Sequence, residues 1–221
     1  MCDDIEVVRV FAKGRNCLLA HASIAQVFAC FSEIRLSQKE HSIAQHRTSV
    51  RAKDEYSASR LLSKYLAMLL FGGQSTDWQV THSDQKLPQL ENCQNNIMGA
   101  LSISHTHGYV AVAMCAGDLP IGVDVEKVKK RKDPRDLLVS LCYAHELAWY
   151  DAEPSLIRFY QLWTAKEAIL KSHKLSIWEA MNPITELSFS EEKFNTCDSD
   201  LNLSHFQSKN ADIIGAWAFA Q

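Results

Sequence analysis

Ile121-Gly122-Val123-Asp124-Val125-Glu126 alternates apolar with small or acidic residues, which is the period of a strand with two different faces. Ile121, Val123 and Val125 are placed toward a core, while Gly122, Asp124 and Glu126 share the opposite face. Residues two apart on a strand stand about 6.6 Å from each other. Asp124 and Glu126 therefore repel unless a proton or a cation lies between them. Oxygen ligands of this kind suit Mg²⁺, which takes one or two carboxylates, keeps waters and adds substrate phosphate. Taken alone, the segment is more simply a half-exposed strand with its acids turned to solvent.

Upstream of that strand, Gly117-Asp118-Leu119-Pro120 reads as a turn. Leu101 to Ser104 and Tyr109 to Cys115 read as two strands joined by His105-Thr106-His107-Gly108. Downstream, Lys127 to Lys132 is a basic run, readable as a solvated loop or as a docking surface. Asp133-Pro134 has the form of a helix start, with Asp at the cap and Pro in the first position. A short helix to about Leu141 follows, then a further turn of helix between Tyr143 and Asp151. Glu153-Pro154 opens a long amphipathic helix to about His173, with Phe159, Leu162, Trp163 and Leu170 on its apolar side. Trp163, Glu167 and Lys171 recur at four-residue steps and share one stripe. Leu187 to Ser190 and Ile213 to Phe219 read as strands of a closing sheet, separated by polar linking sequence.

In the first part of the chain, Ile5 to Phe11 and Cys17 to Ala20 read as strands around a Lys13-Gly14-Arg15-Asn16 turn. Gln26 to Phe31 is a further strand candidate. Ser37 and Glu40 have capping-box spacing at the head of a short polar helix. A clear amphipathic helix follows from about Asp54 to Phe71, its stripe running from Ala58 to Leu70 and its end marked by Gly72-Gly73. Gln74 to Asn96 reads as polar and loop-rich. Ala100-Leu101-Ser102-Ile103-Ser104 is echoed by Glu186-Leu187-Ser188-Phe189-Ser190. The order of elements is α+β rather than alternating βαβ. We expect two pseudo-symmetric lobes, residues 1–119 and 120–221, each a small, mostly antiparallel sheet packed with a long helix. Residues 1–25 would add a hairpin to the first.

Composition narrows the class. The chain has 221 residues, 47% hydrophobic and 22% charged, enough to bury a full core. A net charge of −3 gives no basic footprint for nucleic acid. No apolar run is long enough to cross a membrane, and the acidic start Met1-Cys2-Asp3-Asp4 lacks the basic region of a signal peptide. Seven scattered cysteines, never spaced C-x-x-C, suggest reduced thiols in a cytoplasmic protein rather than a disulfide frame or a zinc site.

Three short motifs stand in order: Ser104-His105, then Gly122-x-Asp124-x-Glu126, then Trp163-Thr164-Ala165-Lys166-Glu167-Ala168-x-x-Lys171. Together they resemble the phosphopantetheinyl transferase superfamily, in its longer, monomeric, two-lobed branch typified by the surfactin-synthetase activator. The resemblance runs from about Gln26 to the C-terminus. It implies transfer of the 4′-phosphopantetheine arm of coenzyme A to a serine of an acidic acyl or peptidyl carrier protein, leaving adenosine 3′,5′-bisphosphate. It further implies that Asp124, Glu126 and Glu167 hold Mg²⁺ against the pyrophosphate, with Glu167 also the base and Lys171 positioning or stabilising charge. Ser104, His105, Arg60, Arg47 and Lys86 match positions that contact coenzyme A phosphates or its adenine side. Glu146 matches a glutamate of the family, although Cys142-Tyr143-Ala144-His145 departs from the pattern before it. After Lys171 the chain has Ser172-His173-Lys174-Leu175 where the family carries a glycine-rich turn. Two rivals use the same residues: a metal-dependent phosphohydrolase acting on coenzyme A, and a non-catalytic coenzyme A- or carrier-binding protein.

Overall fold

The computed structural model describes residues 5–82, 88–92, 94, 96–175, 185–189, 194–208 and 212–221. The chain divides into two compact units, Met1–Leu119 and Pro120–Gln221, both α+β with antiparallel sheets.

In the first unit, β1 (Glu6–Ala12) and β2 (Arg15–Ser23) form a hairpin in which Ala12 pairs with Arg15. The intervening Lys13 and Gly14 both have positive φ, 45° and 75°, the geometry that matches the twist of the flanking strands. With β3 (Trp78–His82), β4 (Pro88–Asn92), β5 (Ile97–Thr106) and β6 (Tyr109–Ala116), they make a six-stranded sheet ordered β1-β2-β6-β5-β4-β3. Against it lies the long helix α3 (Val50–Phe71), whose Leu62 and Leu66 are buried with Leu18, Val112 and Met114. Helix α3 starts four residues before the expected Asp54, because Ser49 accepts from the Ala52 amide and caps it there. Gly72, at φ 77°, ends it, and α2 (Gln38–Gln45) begins in the Ser37/Glu40 capping box.

Three readings of the first unit are corrected. Gln26 to Phe31 is not a strand: α1 (Ile24–Cys30) covers it, set by a Ser23/Gln26 capping box. Its buried residues Ile24 and Val27, with Phe31 at its C-cap, follow helical spacing, while Phe28 is exposed. The stretch between Gln74 and Asn96 contributes the paired strands β3 and β4, which interleave Val80 and Leu90 with polar neighbours. Finally, Cys17 and Cys115 are joined in a disulfide. The register of β2 on β6 sets them directly opposite, with Cα atoms 4.1 Å apart, although 98 residues separate them in sequence. The expectation of reduced thiols does not hold for this pair. Among the described residues, Cys142 and Cys197 are free thiols.

In the second unit, β7 (Ile121–Lys127), β10 (Leu201–Gln207) and β11 (Ile213–Ala220) form a sheet ordered β10-β11-β7. Helices α4 (Pro134–Val139) and α5 (Ala144–Ala152) lead to α6 (Leu156–Ser172), capped by Ser155. Asp133 precedes α4 in a left-handed conformation and makes no side-chain cap. Strands β8 (Leu187–Phe189) and β9 (Phe194–Thr196) form a separate hairpin sheet. The polar linking sequence after β8 thus contains β9 and β10. The short echo falls on strands of different sheets, Ser104 on β5 and Ser188 on β8. Phe159, Leu162, Ala165 and Ile169 of α6 are buried with Ile214, Ala216 and Ala218 of β11. None of the described helices is long and apolar enough to cross a membrane.

Candidate active site

In the second unit the site is built where α6 lies on β7. The face of β7 that carries Gly122, Asp124 and Glu126 is continuous through the register with Ala218, Ala216 and Ile214, the β11 side chains packed on α6. Gly122 is required there. A Cβ on residue 122 would collide with the Ala168 carbonyl and stand 2.6 Å from the Ser172 nitrogen. The helix backbone therefore sits directly on the strand, one residue from Glu167 on one side and Lys171 on the other. Ile121, Val123 and Val125 are buried too, on the other face.

That approach brings the two motifs into contact. The Lys171 Nζ donates to Asp124 Oδ1 at 2.7 Å, with the Lys171 side chain 29% exposed and Asp124 7%. Burial pulls the Lys171 ammonium down, but Asp124, then Glu167 and Glu126, outweigh it and hold it above its ordinary value. The Glu167 carboxyl is pushed up to about 7, first by burial, then by the Asp124 charge; Lys171 opposes this and Glu126 adds to it. Asp124 and Glu126 on the strand and Glu167 on the helix act on one another electrostatically, and carboxylate oxygens are the donor type that a hard divalent cation takes. Among the described residues, no three His, Cys, Asp or Glu side chains are gathered closely enough to hold a metal ion as they stand. In this arrangement the Lys171 ammonium supplies the positive charge beside Asp124.

Arg131, from the basic run, is folded back over the same strand. Its guanidinium reaches Glu126 Oε1 at 3.8 Å, and its Nε donates to the Tyr160 hydroxyl at 3.1 Å. Tyr160 in turn donates to the Lys129 carbonyl. Lys127 lies 3.8 Å from Asp212. Lys129, Lys130 and Lys132 remain exposed.

Glu146 is placed away from chemistry. It is fully buried and accepts from Lys166 Nζ at 2.7 Å, from the Leu187 amide at 2.7 Å and from the Tyr143 amide at 2.7 Å. Lys166 also donates to the Thr185 carbonyl. Both carboxylate oxygens are engaged, so the pair ties α5, α6 and the start of β8 together.

In the first unit two of the expected cations, Arg60 and Arg47, gather around one ring. Arg60, on α3, is 4% exposed and its guanidinium stands 4.2 Å over the Tyr56 ring; Arg47 stands 4.9 Å over the same ring. Arg60 donates to Ser59 Oγ at 3.1 Å, yet among the described residues its buried Nε finds no hydrogen-bond partner. A buried guanidinium nitrogen left this way is costly unless an anion completes it. Burial lowers Arg60 from its ordinary value, with Tyr56 and Glu40 opposing and Arg47 adding. His82 is held below the ordinary histidine value, first by desolvation, then by Arg60, Arg47 and Lys39. His82 and Lys39 were not singled out in the sequence: each is an isolated polar residue on a short element, and no motif marks them. Ser104 is buried on β5 and His105 is half exposed beside it, with Nδ1 3.3 Å from Glu55 Oε2. Lys86 lies outside the described residues.

Residues 120–218, within the second unit, match the family model of the 4′-phosphopantetheinyl transferase superfamily. No curated protein matches the chain. The match takes in both the Gly122-x-Asp124-x-Glu126 strand and the Glu167–Lys171 helix, and supports a transferase of that kind.

Proposed function

We propose that this protein transfers 4′-phosphopantetheine from coenzyme A to a serine of an acyl or peptidyl carrier protein, with Mg²⁺. The observation that carries the reading is the 2.7 Å bond from Lys171 to Asp124, which joins the two motifs of the family-matched segment on one face.

Asp124, Glu126 and Glu167 would hold the ion; Glu167 is raised first by burial and then by the Asp124 charge, and a divalent cation would offset both by favouring the ionised form. When bound, Mg²⁺ supplies charge neutralisation at the pyrophosphate and at the leaving bisphosphate. The remaining work falls to side chains. A serine hydroxyl is a weak nucleophile until its proton is taken, and an ionised carboxylate, which can only accept, is suited to take it. Glu167 accepts the proton; the serine oxygen bonds to the pantetheine-side phosphorus; the bridging P–O bond breaks and adenosine 3′,5′-bisphosphate leaves. Lys171 stays protonated and balances the charge that develops.

In the first unit, Arg60 and Arg47 take a phosphate of coenzyme A, with Lys39 adding positive charge and His82, held below the ordinary histidine value beside them, offering a neutral imidazole. Ser104 and His105 supply a hydroxyl and an imidazole to its other phosphates. The exposed Lys129, Lys130 and Lys132 suit an acidic carrier, since opposite charge speeds encounter.

The test is to incubate apo carrier, coenzyme A and Mg²⁺ with the protein and weigh the intact carrier. One added phosphopantetheine on serine is the expected result. Consumption of coenzyme A without a carrier adduct would instead identify a phosphohydrolase, and binding without turnover a non-catalytic binder.

A further inference from the structure

We propose that Glu55 is a positioning residue for His105, fixing the imidazole so that Nε2 is the atom offered to coenzyme A phosphate. The proposal rests on the reading of His105 as a coenzyme A contact. Glu55 belongs to α3, one residue before Tyr56 and five before Arg60, so the helix that carries the buried cations also carries this acid. Its side chain is 10% exposed, against 48% for His105. Glu55 Oε2 lies 3.3 Å from His105 Nδ1, and Oε1 lies 3.8 Å from the exposed Arg51 guanidinium. The carboxylate is thus engaged at both oxygens, by the half-exposed imidazole on β5 and by the exposed guanidinium on its own helix.

An ionised carboxylate can only accept, so the Nδ1 position carries a proton and donates to Glu55. That hydrogen bond sets the ring plane and the tautomer, the role carboxylates play behind histidines elsewhere. The second proton of an imidazolium then goes to Nε2, where it donates to an anion in a charge-assisted bond. A ring released from Glu55 loses the carboxylate that favours its doubly protonated form and fixes its plane, so an Nε2 donor faces the phosphate less of the time. A nearly buried carboxylate is costly to keep, and its placement against a half-exposed imidazole one strand position after Ser104 gives that cost a use.

The experiment compares isotope-labelled full-length wild type with Glu55→Ala and Glu55→Asp, following the ring-nitrogen NMR signals of His105, which are identified by their loss in His105→Gln. Each protein is also titrated with coenzyme A. The wild type is expected to show His105 protonated on Nδ1, Glu55→Ala to lose that signature, and Glu55→Asp to retain it. Coenzyme A binding is expected to weaken roughly tenfold in Glu55→Ala, the worth of one hydrogen bond to a charged group, and to recover in Glu55→Asp. If Glu55→Ala does not fold, Glu55→Gln, which keeps the shape and removes the charge, takes its place. Ring signals that do not change, or that change with no loss of coenzyme A affinity, overturn the proposal. If the wild type binds no coenzyme A, the transferase reading falls and the phosphate role of His105 with it, while the ring signals still decide whether Glu55 sets the imidazole.

Discussion

Gly122 on β7 lies beneath Ala168 on α6 so closely that any side chain at 122 would strike the helix backbone. Gly122→Ala should force α6 outward and part Lys171 from Asp124. We expect a loss of roughly 1–3 kcal/mol of stability, as for an overpacked core position, together with loss of transfer. Thermal melts and the carrier mass assay check this; a variant as stable and active as wild type would show that the close approach is dispensable.

Glu167 should make the metal-free protein less stable as pH rises. Its carboxyl is raised from about 4.5 to about 7, so the folded state binds the proton more tightly than the unfolded chain. The favourable contribution is complete below about pH 4.5 and is lost as pH climbs through 7. One pKa unit is about 1.4 kcal/mol, so the charged form costs on the order of 3 kcal/mol. Glu167→Gln should therefore melt higher than wild type at pH 8 in chelator, with little difference at pH 5. Adding Mg²⁺ should stabilise the wild type and leave Glu167→Gln nearly unmoved. Parallel melting curves at both pH values would remove Glu167 from the cluster.

The Lys166–Glu146 pair, with side chains 4% and 0% exposed, should be intolerant of half-removal. Lys166→Met leaves a buried carboxylate without its cation and should cost about 3–5 kcal/mol. The double change Lys166→Met with Glu146→Gln should recover part of that. Urea denaturation of the four proteins measures the coupling directly; additive losses would mean the two side chains act independently.

Thiol chemistry should separate the cysteines. Burial, partly opposed by Lys166, pushes the Cys142 thiol up to about 12, and the thiolate is the reactive form. Iodoacetamide at pH 8 should label the exposed Cys197 and spare Cys142 until the protein is unfolded. A non-reducing peptide map should recover Cys17 linked to Cys115. Replacing both by serine should lower stability by roughly 2–4 kcal/mol. Finding both thiols alkylated in the folded protein would show that the strands lie opposed without the bond.

Reversing charge at two exposed positions of the basic run, Lys129→Glu with Lys130→Glu, should raise KM for an acidic carrier in a salt-dependent way and leave KM for coenzyme A level. Arg131 is excluded from this test because it is engaged with Glu126 and Tyr160. Unchanged carrier KM would assign these lysines to plain solvation.

Local pattern was enough for much of this molecule. Alternation exposed β7 and its acidic face, capping residues set the start of α2, and glycine stopped α3, because each depends on neighbours a few residues away. The same spacing put Glu167 and Lys171 on one helical stripe. Where local signals competed, the wrong one was favoured: the apolar Gln26 to Phe31 looks like a strand until the Ser23 cap is counted, and β3 and β4 are too polar to announce themselves without their partners. Only tertiary structure decided which distant groups meet. Register placed Cys17 against Cys115, helix packing on Gly122 delivered Lys171 to Asp124, and the fold of the first unit stacked Arg47 and Arg60 on Tyr56 and set Glu55 behind His105. Apart from the local stacking on Tyr56, those contacts join residues far apart in the chain, and their energies depend on burial and distance, which a linear pattern does not contain.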